Sequence, residues 1–207
     1  MPRYFVGLGA NIGDPALTLR AAVDQIAKLG RNLERSRVYA ANPIGGPPQP
    51  TFLNAAVAFD CDLTPHELLE QLHGIENRYG RHRAAEIRWG PRTLDLDILL
   101  IGALGETILD SPELIVPHPR LAERAFALAP LVELDGRLVH PKLARSLRSL
   151  LATAVAAGQL AVATGQVLYR TKSAVLRRAR WCAGTRPAAT TGPDGHSRAS
   201  RRGDRAE

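Results

Sequence analysis

The chain predicts an α+β fold: an antiparallel sheet with helices packed on it, followed by a C-terminal extension. Three observations carry this expectation. Short apolar stretches and two amphipathic stretches follow one another in the order β-α-β-β-α-β. Both amphipathic stretches open with a capping residue followed by proline. The composition, 45% hydrophobic and 23% charged over 207 residues, suits one domain with a sizeable core plus a remainder.

Residues 3–9 alternate and read as a first strand ending at Gly7 and Gly9. Asp14-Pro15 is an N-cap with proline at the first helical position; Leu19, Val23, Ile26 and Leu29 mark one face of the helix, and Gly30 its stop. Leu33 to Ala41 is a second strand. Residues 42–50, Asn-Pro-Ile-Gly-Gly-Pro-Pro-Gln-Pro, can be neither helix nor ladder. Phe52 to Phe59 is a third strand. Thr64-Pro65-His66-Glu67 is a capping box, and Leu68, Leu72, Ile75 and Tyr79 line the helix that Gly80 ends. A basic loop, Arg81 to Arg92, leads into the strand Leu94–Ile101. This order is that of a ferredoxin-like βαββαβ sandwich with helices on one face of the sheet. A short hairpin is expected near Gly105, then helices over 121–129 and 142–156.

Residues 1–152 are expected to form the catalytic domain, able to work without the rest. Residues 153–207 form a basic extension, helical at its start and then disordered. Residues 151–207 carry ten Lys and Arg against three Asp and Glu, which accounts for the whole net charge of +7. The pI of about 10.1 therefore gives the balanced core no reason to bind nucleic acid. The uncharged run from Ser149 to Tyr169 is long enough to raise a membrane anchor, but its glutamines, threonines and glycines favour an extended final helix. Cys61 and Cys182 show neither metal-ligand spacing nor a disulfide framework. With an N-terminus that runs straight into a strand, this points to the cytoplasm. No membrane attachment is expected, and the chain is expected to be a monomer, although no residue pattern fixes the oligomeric state.

The chemistry concentrates in residues 88–101, Arg-Trp-Gly-Pro-Arg-Thr-Leu-Asp-Leu-Asp-Ile-Leu-Leu-Ile. Strand side chains alternate, so Asp95 and Asp97 share one face while Leu94, Leu96, Ile98 and Leu100 share the other. Two carboxylates entering an apolar strand are costly unless paired or metal-bound. Mg²⁺ suits them, because it takes one or two carboxylates and completes its shell with water and phosphate oxygens. Arg81, Arg83, Arg88 and Arg92, with His82, form a loop opening onto those aspartates. Guanidinium groups bind phosphate bidentately and stabilise charge in phosphoryl transfer. Glu76 and Glu86 are placed to orient them, and Gly80 and Gly90 let the loop close as a lid.

Three further segments attract notice. His118, between Pro117 and Pro119, is either a ligand or a turn residue. Asn54 lies in an otherwise apolar strand, where its amide could read the edge of a heteroaromatic ring, with Phe52 and Phe126 as stacking surfaces or as plain core. Gly7-Leu8-Gly9-Ala10-Asn11-Ile12-Gly13 lacks the lysine of a phosphate loop and reads as a tight turn with Asn11 at the mouth of a site.

Together these segments resemble the 6-hydroxymethyl-7,8-dihydropterin pyrophosphokinase family of the folate pathway. The resemblance rests on Gly7–Asn11, Asn42-Pro43, Phe52–Ala56, Glu76, Gly80–Arg83, Arg88–Ile98 and Val116–Phe126, and spans roughly residues 3 to 150. It implies two Mg²⁺ ions on Asp95 and Asp97, and catalytic roles for Arg81 and Arg92. It implies ATP contacts from Glu76, Arg83, Arg88, Ile98, His118 and Arg124. It implies that Asn54 reads the pterin edge, Phe52 and Phe126 sandwich the ring, and Asn11, Asn42, Pro43 and Trp89 complete the pocket. Gly45-Gly46 after Pro43 implies a missing apolar wall. The reaction implied is transfer of diphosphate from ATP to the hydroxymethyl oxygen, leaving AMP. Competing readings are an Mg²⁺-dependent nucleotidyltransferase, which would release pyrophosphate, and an RNA-binding module, which would need exposed aromatics on its central strands.

Overall fold

The computed structural model of the chain describes residues 1–81, 89–159 and 162–167, the last three by backbone alone. Strand β1 (Arg3–Ala10) is followed by helix α1 (Pro15–Ile26), strands β2 (Arg31–Arg35), β3 (Arg37–Ala41) and β4 (Phe52–Asp60), helix α2 (Pro65–Arg78) and strand β5 (Asp95–Ile101). β1 is central, antiparallel to β4 on one side and to β5 on the other, and β4 pairs in turn with β2 and β3. The spatial order β3-β4-β1-β5 is that of the predicted sandwich.

The expected second strand, Leu33–Ala41, is two strands divided by a bulge. Ser36 donates its backbone N–H to the Ala56 carbonyl, while its Oγ accepts the Ala56 N–H, both at 2.9 Å. A hydroxyl thus replaces a backbone carbonyl in the ladder, and the register slips by one residue. A second bulge lies in β5, opposite the Phe5–Val6 step of β1. Leu96 and Ile98 stay with the α1/α2 face, but Leu99 and Leu100 both pack on the other. Strict alternation had put Leu100 with Ile98.

Helix ends follow local chemistry. Asp14 caps α1 by accepting from the Leu17 N–H, and Thr64 and Glu67 form the expected capping box of α2. α1 stops at Ile26, before Gly30. Gly30 serves a close approach instead, since a Cβ there would stand 2.2 Å from the Asp60 carbonyl oxygen. Leu19, Val23, Leu72 and Ile75 of the two helices pack on Tyr4, Val6, Val57 and Leu96 of the sheet.

Helices cover both faces, where the sequence suggested one. After a small hairpin, β6 (Leu109–Asp110) with β7 (Ile115–Val116), comes a 3-10 turn at Leu121–Glu123 and helix α3 (Ala125–Leu134). A second hairpin, β8 (Val139–His140) with β9 (Arg145–Ser146), leads into α4 (Leu147–Ala156). The helix expected at 121–129 is therefore shifted toward the C-terminus, and the one expected at 142–156 starts five residues later. Leu128 and Leu131 of α3, with Leu147 and Leu150 of α4, pack on Phe5, Ala56, Ala58 and Leu99. Burying each leucine contributes about 1.5–3 kcal/mol, which seats α3 and its N-terminal residues firmly.

The expected long final helix ends at Ala156, with Gly158 at φ 87°. The chain then forms strand β10 (Val162–Val167), antiparallel to β3. Residue 152 falls inside α4, so the packed structure continues past it. Residues 168–207 and the predicted lid segment 82–88 lie outside the described residues. Among the described residues no helix is long and apolar enough to cross a membrane.

Candidate active site

The site is cut into one face of the sheet. Asp95 and Asp97 of β5 stand opposite Gly9 and Gly7 of β1, and Gly9 stands opposite Asn54 of β4. A row of Asp95, Gly9 and Asn54 thus crosses three strands. A Cβ at Gly9 would lie 3.3 Å from Asn54 Oδ1 and 3.8 Å from Asp95 Cβ. Absence of side chains on β1 therefore makes the hollow. These glycines lie within the strand, where the sequence suggested that they end it. The result is a cavity of about 490 Å³, with Asn54, Phe52 and Phe126 on one side and Asp95, Asp97, Arg92 and Arg124 on the other.

The acidic floor is braced from behind. Glu76 of α2 is 0% exposed; it accepts the Leu96 N–H at 2.7 Å and pairs with Arg81. Gly80, at φ 80°, turns the chain after α2 so that Arg81 reaches back to both Glu76 and Asp95. Arg92 Nη1 lies 3.4 Å from Asp95 Oδ1. Desolvation, and then Asp95 beside it, raise the Asp97 carboxyl well above the usual carboxylate range, against the pull of Arg124 and Arg81.

His118 is held by its own N–H to the Leu99 carbonyl (3.0 Å), and its Nδ1 accepts the Arg120 N–H (3.1 Å). The ring proton therefore sits on Nε2, 4.0 Å from Asp97 Oδ2. Burial, then Arg124, push its pKa down to about 4, so the imidazole is neutral at pH 7. Arg124 precedes α3, and Phe126 lies in its first turn. Gln159 caps that turn by accepting the Ala125 N–H at 3.0 Å. A residue beyond the expected domain boundary thus steadies two site residues.

Trp89, at φ 58°, is clasped by the loop 42–50. Gln49 Nε2 donates to the Trp89 carbonyl at 2.7 Å. A Cβ on Gly45 would meet the Trp89 ring at 3.1 Å, and one on Gly46 would meet its carbonyl oxygen at 2.2 Å. The glycine pair therefore lets the loop close on Trp89, and Ile44 and Trp89 supply the apolar wall expected to be missing. Asn11 ties the same parts from below: it donates to Gln49 Oε1 and the Pro50 carbonyl, and accepts the Arg92 N–H at 2.7 Å.

Of the sequence-predicted residues, Arg81, Arg92, Asp95, Asp97, His118 and Arg124 line the cavity, as do Asn42, Pro43, Phe52, Asn54, Trp89 and Phe126. Glu76 and Asn11 stand behind the wall, Asn11 buried and not at the mouth. Ile98 packs its side chain into the opposite core, away from the cavity. Arg83 and Arg88 lie outside the described residues. Gln49, Ile44 and Arg120 also line the cavity without having been singled out. Only Arg120 carried a signal, its place in the His-Pro-Arg segment. Among the described residues, no cluster of three or more His, Cys, Asp or Glu could hold a metal, so any ion here rests on the aspartate pair.

Comparison with known proteins finds relatives in sequence and in fold. The sequence profile of the 7,8-dihydro-6-hydroxymethylpterin-pyrophosphokinase family matches residues 5–136. A Pseudomonas aeruginosa 2-amino-4-hydroxy-6-hydroxymethyldihydropteridine pyrophosphokinase is 44% identical over 152 residues, covering 72% of this chain and 90% of the relative. A Bacillus subtilis protein of the same name is 46% identical over 132 residues, 63% of this chain and 76% of the relative. The fold is similar to that of wild-type Plasmodium falciparum HPPK-DHPS, with a TM-score of 0.57 at 14% identity. That likeness covers 75% of this chain and 44% of the longer protein.

Proposed function

The chain belongs to the 7,8-dihydro-6-hydroxymethylpterin-pyrophosphokinase family, and from this we propose that it transfers diphosphate from ATP to 6-hydroxymethyl-7,8-dihydropterin in folate biosynthesis. The observation that carries this reading is the pairing of two different surfaces in one cavity. On one side, Asn54 is almost wholly buried, and its Nδ2 has no hydrogen-bond partner. Such a donor is costly to leave unmet, and the edge of a pterin ring would satisfy it. Phe52, Phe126 and Pro43 supply flat apolar contacts for the ring. On the other side, Arg81, Arg92 and Arg124 face the two aspartates.

The aspartates fit divalent cations. Burial first and then repulsion from Asp95 disfavour the Asp97 charge, and a bound cation relieves both. Asp95 and Asp97 would hold Mg²⁺, two ions in our reading, which when bound neutralises phosphate oxygens and acidifies the attacking hydroxyl. The chain's own residues do the rest. Asn54 and the aromatic walls orient the hydroxymethyl arm toward the phosphates. Arg92 and Arg124, joined in our reading by Arg83 and Arg88, bind the triphosphate and the charge that moves during transfer. Glu76 keeps Arg81 aimed at Asp95. Neutral His118 offers its Nε2 proton to a phosphate or nucleotide oxygen.

A monomer in a reducing cytoplasm fits the buried Cys61, whose thiol donates to the Leu29 carbonyl, and the covered β3 edge. Incubation with ATP, Mg²⁺ and the pterin, followed by separation of adenine nucleotides, tests the reading. AMP formed only when the pterin is present is the expected result. ADP, free pyrophosphate or no conversion by folded protein would overturn it.

A further inference from the structure

Among the described residues four arginines line the cavity, and they are not equivalent. Arg81 is neutralised by Glu76 and Asp95, and Arg92 has Asp95 nearby. Arg120 and Arg124 pair with no carboxylate among the described residues. Each rests on a ring instead. The Arg120 guanidinium lies 5.5 Å from the centre of Trp89, and that of Arg124 lies 5.6 Å from Phe126.

The two guanidiniums also repel one another: after burial, Arg120 is the largest influence lowering the Arg124 pKa. His118 accepts the Arg120 backbone N–H at its Nδ1, and an imidazole cannot supply a negative countercharge. Asp97 and Asp95 offset part of the charge on Arg124, but Arg120 has no carboxylate partner among the described residues, and two like charges so placed favour an arriving anion. A cation resting on an indole is held weakly enough to exchange that contact for a phosphate.

We propose that Arg120 is a second phosphate-binding cation of the nucleotide site, working beside Arg124 and held ready on the face of Trp89. The proposal rests on the pyrophosphokinase reading and adds a residue to it. Pro119 and the bond to His118 Nδ1 fix the Arg120 backbone, so only its side chain need swing. Arg120 also touches the residue that the pterin-side loop clasps, so phosphate binding would release one face of the Trp89 ring.

The test measures equilibrium binding of ATP with Mg²⁺, and separately of the pterin, to the full chain, Arg120→Met and Arg120→Lys. Met keeps the packing over Trp89 and removes the charge. Arg120→Met is expected to weaken ATP binding about tenfold, the effect of one charged hydrogen bond lost. Pterin affinity should stay within about twofold, and Arg120→Lys should recover part of the loss. Unchanged ATP affinity in Arg120→Met would overturn the proposal. So would a loss confined to the pterin, which would make Arg120 only a support for Trp89. A wild-type chain that binds ATP but forms no AMP would refute the reaction while leaving this assignment standing; one that binds no ATP would refute both.

Discussion

Replacing Gly46 by alanine separates backbone strain from steric collision within one loop, because Gly45 provides a matched control. Both residues have left-handed φ, 75° and 78°, which costs alanine about 1 kcal/mol at either position. At Gly45 the new Cβ meets the edge of the Trp89 ring at 3.1 Å, and a side chain can shift by a few tenths of an ångström. At Gly46 it meets the Trp89 carbonyl oxygen at 2.2 Å, and backbone cannot yield so cheaply. The loop must retreat by roughly 1 Å, which breaks the 2.7 Å bond from Gln49 to that carbonyl. Losing it adds about 1 kcal/mol. The total is about 2–3 kcal/mol for Gly46→Ala against about 1 for Gly45→Ala. Because the loop carries Asn42, Pro43 and Ile44 to the cavity, the difference should emerge as pterin affinity, about tenfold weaker in Gly46→Ala than in Gly45→Ala. Titration of each variant with the pterin in the presence of an unreactive ATP analogue measures it. Equal affinities in the two variants would show that the clasp does not shape the pterin wall.

Glu76→Ala takes one of its carboxylate partners from the buried Arg81 and leaves the Leu96 N–H without that acceptor, so denaturant unfolding should show a loss of about 3–5 kcal/mol, a charged hydrogen bond lost plus a buried donor left unmet. Glu76→Gln keeps an acceptor and should lose less; equal losses would refute the account. Asp97→Asn should abolish AMP formation yet melt no lower than wild type without divalent cations, because it removes a charge disfavoured by burial and by repulsion from Asp95. A lower melting temperature would count against that repulsion. Burial, Cys61 and Glu67 raise the Tyr4 phenol from 10.0 to about 12, so the fold favours its protonated form. Its contribution is complete below pH 10 and is lost as pH rises toward 12. Wild-type stability should fall more steeply than that of Tyr4→Phe across that window, and parallel curves would remove Tyr4 from the explanation. Truncation after Ala152 cuts α4 and removes Gln159 from the start of α3, and should lower the melting temperature; unchanged melting would remove Gln159 from the account.

Much of this was legible in the chain because local rules govern it. Thr64-Pro65-His66-Glu67 announces its cap, and Asp95 and Asp97 share a face by strand geometry alone. The bulges were not legible, since a strand such as 33–41 gives no sign that Ser36 Oγ will replace a carbonyl across the ladder. One inserted residue reverses every later face, which is why Leu100 was misplaced. Gly7 and Gly9 looked like a turn because glycine weakens strands; only the pairing with Asp97 and Asp95 shows what their bareness is for. Gln49 and Ile44 lie in a loop rich in Pro and Gly, whose path depends on Trp89, a contact roughly forty residues away that no local pattern encodes.

Strand β10 also has a consequence in time. The bond from Thr164 to the Val38 carbonyl joins residues 126 positions apart in the chain. Synthesis runs from the N-terminus, and such distant pairings form slowly. The β1–β5 sheet can therefore assemble while β3 still offers an open row of N–H and C=O groups. Until residue 167 leaves the ribosome, a nascent chain can pair through β3 with its neighbours. The family match ends at residue 136, so the segment that guards against this self-association lies outside it.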